Sequence, residues 1–289
     1  MENKYNMSVE DNIFLAKRNI VDYIWKSARL EGINVTFPDT EAIYNGINVS
    51  SLRVSDIIAV NNLKHAWQFI LDNIEYEIDY PYICKINQYV GYNLFRDAGF
   101  IRNIPVSIGG TAWKPEMPIE SQIKEEINEI CEIENPTERA ITLMLKMMRK
   151  QAFLDGNKRT SMLAGNQVMI SNGAGIITVP VELQHHFSGL LVSYYENNQI
   201  EEIKDFIYNE CIDGIPMTNT IAHNKTYNPE DDYYIKVTSQ EAEFIRKKGI
   251  PFEGKIHSDK LSVIRVKTAY KSKVENILKT ERTNGITLN

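Results

Sequence analysis

Two apolar helical runs joined by a short loop constrain this chain more than any other feature. The first, ENPTERAITLMLKMMRK, opens with Asn135 as a cap, Pro136 in the first turn and Glu138 placed to close a capping box. Its apolar positions are dense enough to predict a central, buried helix. The second run predicts a helix from about Asn157 to Ser171, stopping at Asn172-Gly173. Between them the chain turns through Asp155 and Gly156.

Other elements arrange themselves around this pair. Residues 8–31 read as one helix, with Ser8 and Asp11 fitting a capping box and Ile13, Ile20, Ile24 and Leu30 on an apolar stripe. Gly32, Pro38 and Gly46 break the pattern. Helix resumes across VSDIIAVNNLKHAWQFILDN and again after Pro81, with Ile83, Ile86, Val90, Leu94 and Phe95. FIRNIPVSIGGTAWKPEMP is extended and turn-rich, and reads as a β-hairpin flap turning at Gly109-Gly110. One or two further helices cover roughly 181–212. The expected class is mainly α for residues 1–215, then a polar linker over 216–231. A small α+β domain, strand–helix–hairpin–helix, fills 232–289.

Bulk properties exclude several classes. A chain of 289 residues, 43% apolar and 24% charged, has an ordinary globular balance. Its net charge of -6 argues against a general nucleic-acid footprint. The basic runs RKKG and RVKTAYKSK in the tail are modest and fit solvated helix faces. No run reaches the roughly 18 apolar residues of a membrane span. The opening MENKYNMSVEDN lacks the apolar core of a signal peptide. Cys84, Cys131 and Cys211 are scattered and odd in number, which fits reduced thiols and a cytoplasmic setting. The five histidines form no metal-ligand spacing.

The loop between the two central helices carries the chemistry. The first N–H groups of a helix lack intrahelical partners and, with the helix dipole, hold phosphate. Gly156 permits close approach, Lys158 and Arg159 add positive charge, Asn157 is placed to orient a phosphate, and Asp155 to hold Mg2+ against it. Residue types alone leave a plain alternative open: Asp-Gly-Asn is also an ordinary turn, and Lys-Arg an ordinary solvated helix face.

Residues 151–159, Gln-Ala-Phe-Leu-Asp-Gly-Asn-Lys-Arg, resemble the H-x-F-x-[D/E]-G-N-[G/K]-R signature of the Fic (filamentation induced by cAMP) family at every consensus position except the first. VSIGGTAWKPEMP resembles the family's target-docking hairpin, through Ile108, Gly109, Gly110 and Thr111. SARLEG resembles its inhibitory motif [S/T]-x-x-x-E-[G/N], through Ser27, Glu31 and Gly32, as in members with an N-terminal inhibitory helix. The likeness covers about residues 10–210.

The resemblance implies a protein adenylyltransferase, moving AMP from ATP, with Mg2+, to a hydroxyl of a protein target held by the flap. It assigns catalytic positions to Gln151, Asp155, Asn157 and Arg159, nucleotide contacts to Gly156, Asn157, Lys158 and Arg159, and the metal to Asp155. Two departures stand out. Gln151 replaces the family's general-base histidine, and an amide has no nitrogen that titrates near neutrality. Met162 replaces a second arginine that pairs with the inhibitory glutamate in many members, leaving Glu31 either unpartnered or facing Arg159. Lys158 also resembles the death-on-curing branch, whose members move a phosphate. The expected function is therefore an adenylyltransferase scaffold impaired at its base. A nonenzymatic nucleotide- or protein-binding relative and a toxin–antitoxin-type regulator are the alternatives. The sequence leaves homo-oligomerisation open.

Overall fold

The computed structural model describes residues 1–216, 232–253, 256 and 262–284. Most of the linker expected at 216–231 lies outside the described residues. The chain divides into two compact units, Met1–Thr220 and Ile221–Asn289.

The first unit is helical. Its helices are α1 (Val9–Arg18), α2 (Ile20–Leu30), α3 (Phe37–Tyr44), α4 (Val54–Asp72), α5 (Tyr80–Gly91), α6 (Glu120–Cys131), α7 (Pro136–Lys150), α8 (Asn157–Ser171), α9 (Gln184–Asn197) and α10 (Glu201–Glu210). Strands β1 (Ile176–Ile177) and β2 (Ile212–Asp213) pair antiparallel. The α7–α8 pair is the centre of the packing, with α4, α5 and α1 also against α8. Every residue of α8 from Arg159 to Ile170 is buried. Gly165 allows this closeness, since a Cβ there would stand 3.1 Å from the Ala140 carbonyl oxygen on α7. Two amide side chains caught in this core find backbone partners. Asn166 donates to the Ile177 carbonyl (2.9 Å) and accepts from the Ile177 amide (2.7 Å), and Gln167 donates to the Tyr76 carbonyl.

Several local expectations change. The single helix over 8–31 is two, divided at Asn19, because α1 packs on α8 while α2 packs on α3 and α4. Pro38 starts a helix where a break was expected. Thr36 and Asp39 form a reciprocal capping box, and a proline in the first turn costs no intrahelical hydrogen bond. Likewise α5 begins at Tyr80, ahead of Pro81, with Asp79 as its cap. Leu94 and Phe95 fall beyond its end, where the chain folds back and lays the Phe95 ring against Gly91. Asn135 caps α7 as expected, but the Glu138 carboxylate leaves the capping box for Lys204, 2.7 Å away. The flap is an extended loop that turns at Gly109-Gly110, without paired strands of its own. Pro105, Pro115 and Pro118 remove donors that a ladder would need.

The second unit holds β3 (Asp232–Val237), α11 (Ser239–Lys247), β4 (Phe252–Glu253), β5 (Ser262–Lys267) and α12 (Lys271–Asn284). Its sheet is antiparallel in the order β3-β5-β4, over a core including Val237, Ile245, Ile264, Val266, Val274 and Leu278. Among the described residues no helix is long and apolar enough to cross a membrane.

Candidate functional site

The loop between α7 and α8 is built mainly by side chains that bind backbone. Helix α7 ends as Gln151 enters the left-handed region (φ 47°, ψ 52°). Phe153 is 1% exposed and anchors the loop in the core, and a bridge joins it to Ile101. The Asn157 side chain accepts from the Phe153 amide (2.9 Å) and donates to the Phe153 carbonyl (2.8 Å) and to Gln151 Oε1 (3.1 Å). Asn157 thus staples the loop closed, with its side-chain oxygen and amide nitrogen both engaged within the loop. Gly156 caps α8 at φ 75°, and a Cβ there would lie 2.9 Å from Val90 Cγ1. The turn therefore requires glycine twice over, for its dihedral and for its space.

Beyond the staple, α8 opens with free donors. The Thr160 amide is the first to bond inside the helix, to the Gly156 carbonyl. The amides of Asn157, Lys158 and Arg159 precede it and have no acceptor among the described residues. Asp155 sits at the mouth, with Oδ1 accepting from the Gly156 amide (2.5 Å) and standing 3.5 Å from Arg159 Nη2. Its other carboxylate oxygen has no protein partner among the described residues.

Glu31, at the C-terminal end of α2, reaches this place from far away in sequence. Its carboxylate lies 3.4 Å from Lys158 Nζ and 3.5 Å from Arg159 Nε. The sequence left Glu31 either unpartnered or facing Arg159, and the structure brings it to both cations. Ser27 is buried on α2 and does not line the site. Gly32 (φ 76°) serves to end α2, its amide bonding back to the Arg29 carbonyl. Met162 is buried in the core.

A cavity of about 350 Å3 lies over the α8 amino end. Glu31, Gln151, Asp155, Lys158 and Tyr195 line one side, and flap residues Val106–Gly109 the other. Of the expected flap residues, Ile108 and Gly109 face the cavity. Gly110 and Thr111 lie outside its wall, and the Thr111 hydroxyl donates to Glu196 (2.6 Å). Trp113 stacks on Tyr195 with ring centroids 5.4 Å apart, joining flap to α9.

Among the described residues no histidine lines the cavity. His65, His185 and His186 are exposed. Burial first, then the Glu31 charge, pushes the Tyr195 phenol above its ordinary value, against the hydrogen bond from Gln151. The Gln151 amide itself is engaged, with Nε2 donating to the Met148 carbonyl (2.6 Å).

The residues fit a metal that arrives with phosphate. One outward carboxylate oxygen on Asp155, beside free amides, suits Mg2+, which keeps waters and phosphate oxygens as most of its ligands. Among the described residues no three His, Cys, Asp or Glu side chains gather into a protein-only cage.

Three site residues gave no local sequence signal as such. Asn87, fully buried on α5, donates to the Asp155 carbonyl and the Thr160 hydroxyl (both 3.1 Å) and accepts from the Gly99 amide (2.8 Å). A polar residue among Ile83, Ile86 and Val90 was its only trace. Arg102 reaches the Gln151 carbonyl with Nε (2.7 Å), and burial lowers its guanidinium pKa. Tyr195 lies in an otherwise ordinary helix.

Residues 77–169 match the model of the Fic/DOC family. Solved structures share the fold. A Fic-domain signaling protein from Bacteroides thetaiotaomicron superposes with TM-score 0.58 at 18% identity, over 70% of this chain and 84% of that one. Fic-1 from C. elegans gives 0.58 at 21%, over 76% and 72%. A Fic family protein from Desulfovibrio desulfuricans gives 0.61 at 15%, over 82% and 72%. No curated protein matches the chain.

Proposed function

We propose that this chain, whose residues 77–169 carry a Fic/DOC family domain, binds ATP at the amino end of α8 and is an adenylyltransferase scaffold with its proton-accepting position disabled. One observation carries the reading. Three backbone amides without acceptors open α8 with Lys158 and Arg159 among them, and Asn157 and Lys158 line a cavity walled by the flap. Such an end holds phosphate through its amides and dipole, and Arg159 adds a planar, fork-shaped donor. Asp155 would hold Mg2+ against the same phosphates, and the metal would neutralise charge on them.

The chemistry of transfer needs a base for the target hydroxyl. At the family position stands the Gln151 amide, which donates and accepts hydrogen bonds but takes up no proton near neutral pH. General-base catalysis is typically worth about 10²–10⁴-fold, and that factor is missing here. Glu31 adds a second restraint, since its carboxylate sits where phosphate oxygens would bind Lys158 and Arg159. In this reading the resting protein is closed by its own carboxylate, the flap holds a protein target in extended form, and transfer is slow or absent. Residues 232–289 are then a separate accessory unit of unassigned role.

The test is incubation with Mg2+ and ATP labelled at the α- or the γ-phosphate. ATP binding with little protein labelling is expected. Strong α-label transfer by the unaltered chain overturns the disabled-base reading, and absence of ATP binding even after Glu31→Gly overturns the nucleotide site.

A further inference from the structure

Arg102 is 4% exposed, and among the described residues no carboxylate lies within ion-pair distance of it. Its charge is met by carbonyl oxygens and one sulfur instead. Nε donates to the Gln151 carbonyl (2.7 Å) and Nη1 to the Ile104 carbonyl (2.9 Å). Nη1 also reaches Met117 Sδ (3.2 Å), and Nη2 donates to the Glu116 carbonyl. The Arg102 amide bonds the Ala152 carbonyl (2.9 Å).

These partners belong to three different strands of chain. Ile104 is on the incoming arm of the flap, Glu116 and Met117 are on the outgoing arm, and Gln151 is the left-handed residue that ends α7 and opens the loop. Among the described residues the two arms make no backbone hydrogen bond to each other. The guanidinium fork therefore supplies at the flap's base the cross-link that a β-ladder would otherwise supply. It also holds the carbonyl of a non-glycine residue at positive φ, a conformation that needs support from its surroundings.

We infer that Arg102 is a positioning residue that fixes both flap arms to the Gln151 carbonyl, so that the flap and the Gln151 turn open and close as one body. A peptide seated on the flap then bears on the direction of the Gln151 side chain, which lines the cavity beside it. Only that consequence rests on the nucleotide reading, and the measurement below uses no nucleotide. Failure to bind ATP would leave this inference standing.

Arg102→Lys keeps the charge and most of the volume, but a single ammonium cannot span the three carbonyls. Flap opening is read by chymotrypsin nicking after Trp113. Opening of the Gln151 turn is read by hydrogen exchange at the Phe153 amide, which bonds Asn157 Oδ1. Exchange at the Leu163 amide, inside α8, reports global unfolding. Nicking and Phe153 exchange are expected to rise together by about 10- to 100-fold, with Leu163 changing much less. Faster nicking with Phe153 unchanged overturns the coupling, and so does an equal rise at Leu163, which marks general loss of stability. Where Arg102→Lys fails to fold, the unaltered chain in mild urea decides. Nicking and Phe153 exchange should then share one urea dependence, shallower than that of Leu163. Unequal dependences overturn the inference.

Discussion

Glu31 faces Arg159 across 3.5 Å, Oε2 to Nε, and neither Glu31 Oε1 nor Arg159 Nε has a hydrogen-bond partner among the described residues. The two charges attract, but their contact is too long for a good hydrogen bond. A ligand with better-placed oxygens would compete well for Arg159. Replacing Glu31 with Gly should therefore tighten ATP binding in the presence of Mg2+ by about tenfold, since like charge held beside a phosphate is costly. Glu31→Gln, which keeps the size and removes the charge, should follow it. Titration calorimetry measures both, and equal Kd values for all three proteins would count against an inhibitory role for the carboxylate.

Placing a titratable nitrogen at position 151 tests the missing base. Gln151→His combined with Glu31→Gly should raise transfer of the α-label to protein by about 10²–10⁴-fold over Glu31→Gly alone. The rise should follow the ionisation of a histidine and fade at acid pH, where the ring is protonated and cannot accept a proton. A double variant that binds ATP and labels nothing, with a range of candidate targets present, would show that more than the base is missing.

Gly156→Ala probes the turn. It places a Cβ 2.9 Å from Val90 Cγ1 on a residue held at φ 75°. Urea unfolding should show a loss of about 1–3 kcal/mol, the range for a strained backbone. ATP binding should weaken as well, because Gly156 sets the direction of the α8 amides. Full stability in this variant would mean that the turn is softer than its packing implies.

Stability should fall in alkali. Burial pushes the Cys211 thiol up to about 12 from its ordinary value of 9.0, and raises the Tyr23, Tyr82 and Tyr195 phenols as well. For a group whose folded pKa is raised, the stabilising contribution is complete below the unfolded pKa and is lost as pH climbs through the folded one. The urea midpoint should thus hold below about pH 9 and drop as pH rises from there towards about 12. Thiol reagents should label Cys84 and Cys131, both half-buried, before buried Cys211. A midpoint that stays level across that window would contradict the burial of these groups.

The central pair was legible because its signals are local. Asn135, Pro136 and the dense apolar run mark α7, Gly156 marks the turn, and Asn172-Gly173 marks the end of α8. Pro38 misled for the same reason that it is informative. A proline disfavours helix before it yet is at home in a first turn, and only the capping pair Thr36 and Asp39 shows which applies. The flap's extended character was readable from its prolines and glycines. Whether its arms would pair was not, because that depends on where their backbone donors and acceptors find partners.

By itself the sequence determined the helix–loop–helix in which α8 opens with unpaired amides, and the amide at the position where a base is expected. These are properties of contiguous residues, set by dihedral preference, capping and side-chain chemistry. Tertiary structure alone decided what surrounds those amides. Arg102 meets a carbonyl 49 residues away, Asn87 one 68 residues away, and Lys158 lies against the Leu30 carbonyl 128 residues away, with Glu31 beside it. Nothing in the local chain encodes those meetings. They arise when apolar helix faces pack around α8 and carry along whatever polar groups they bear.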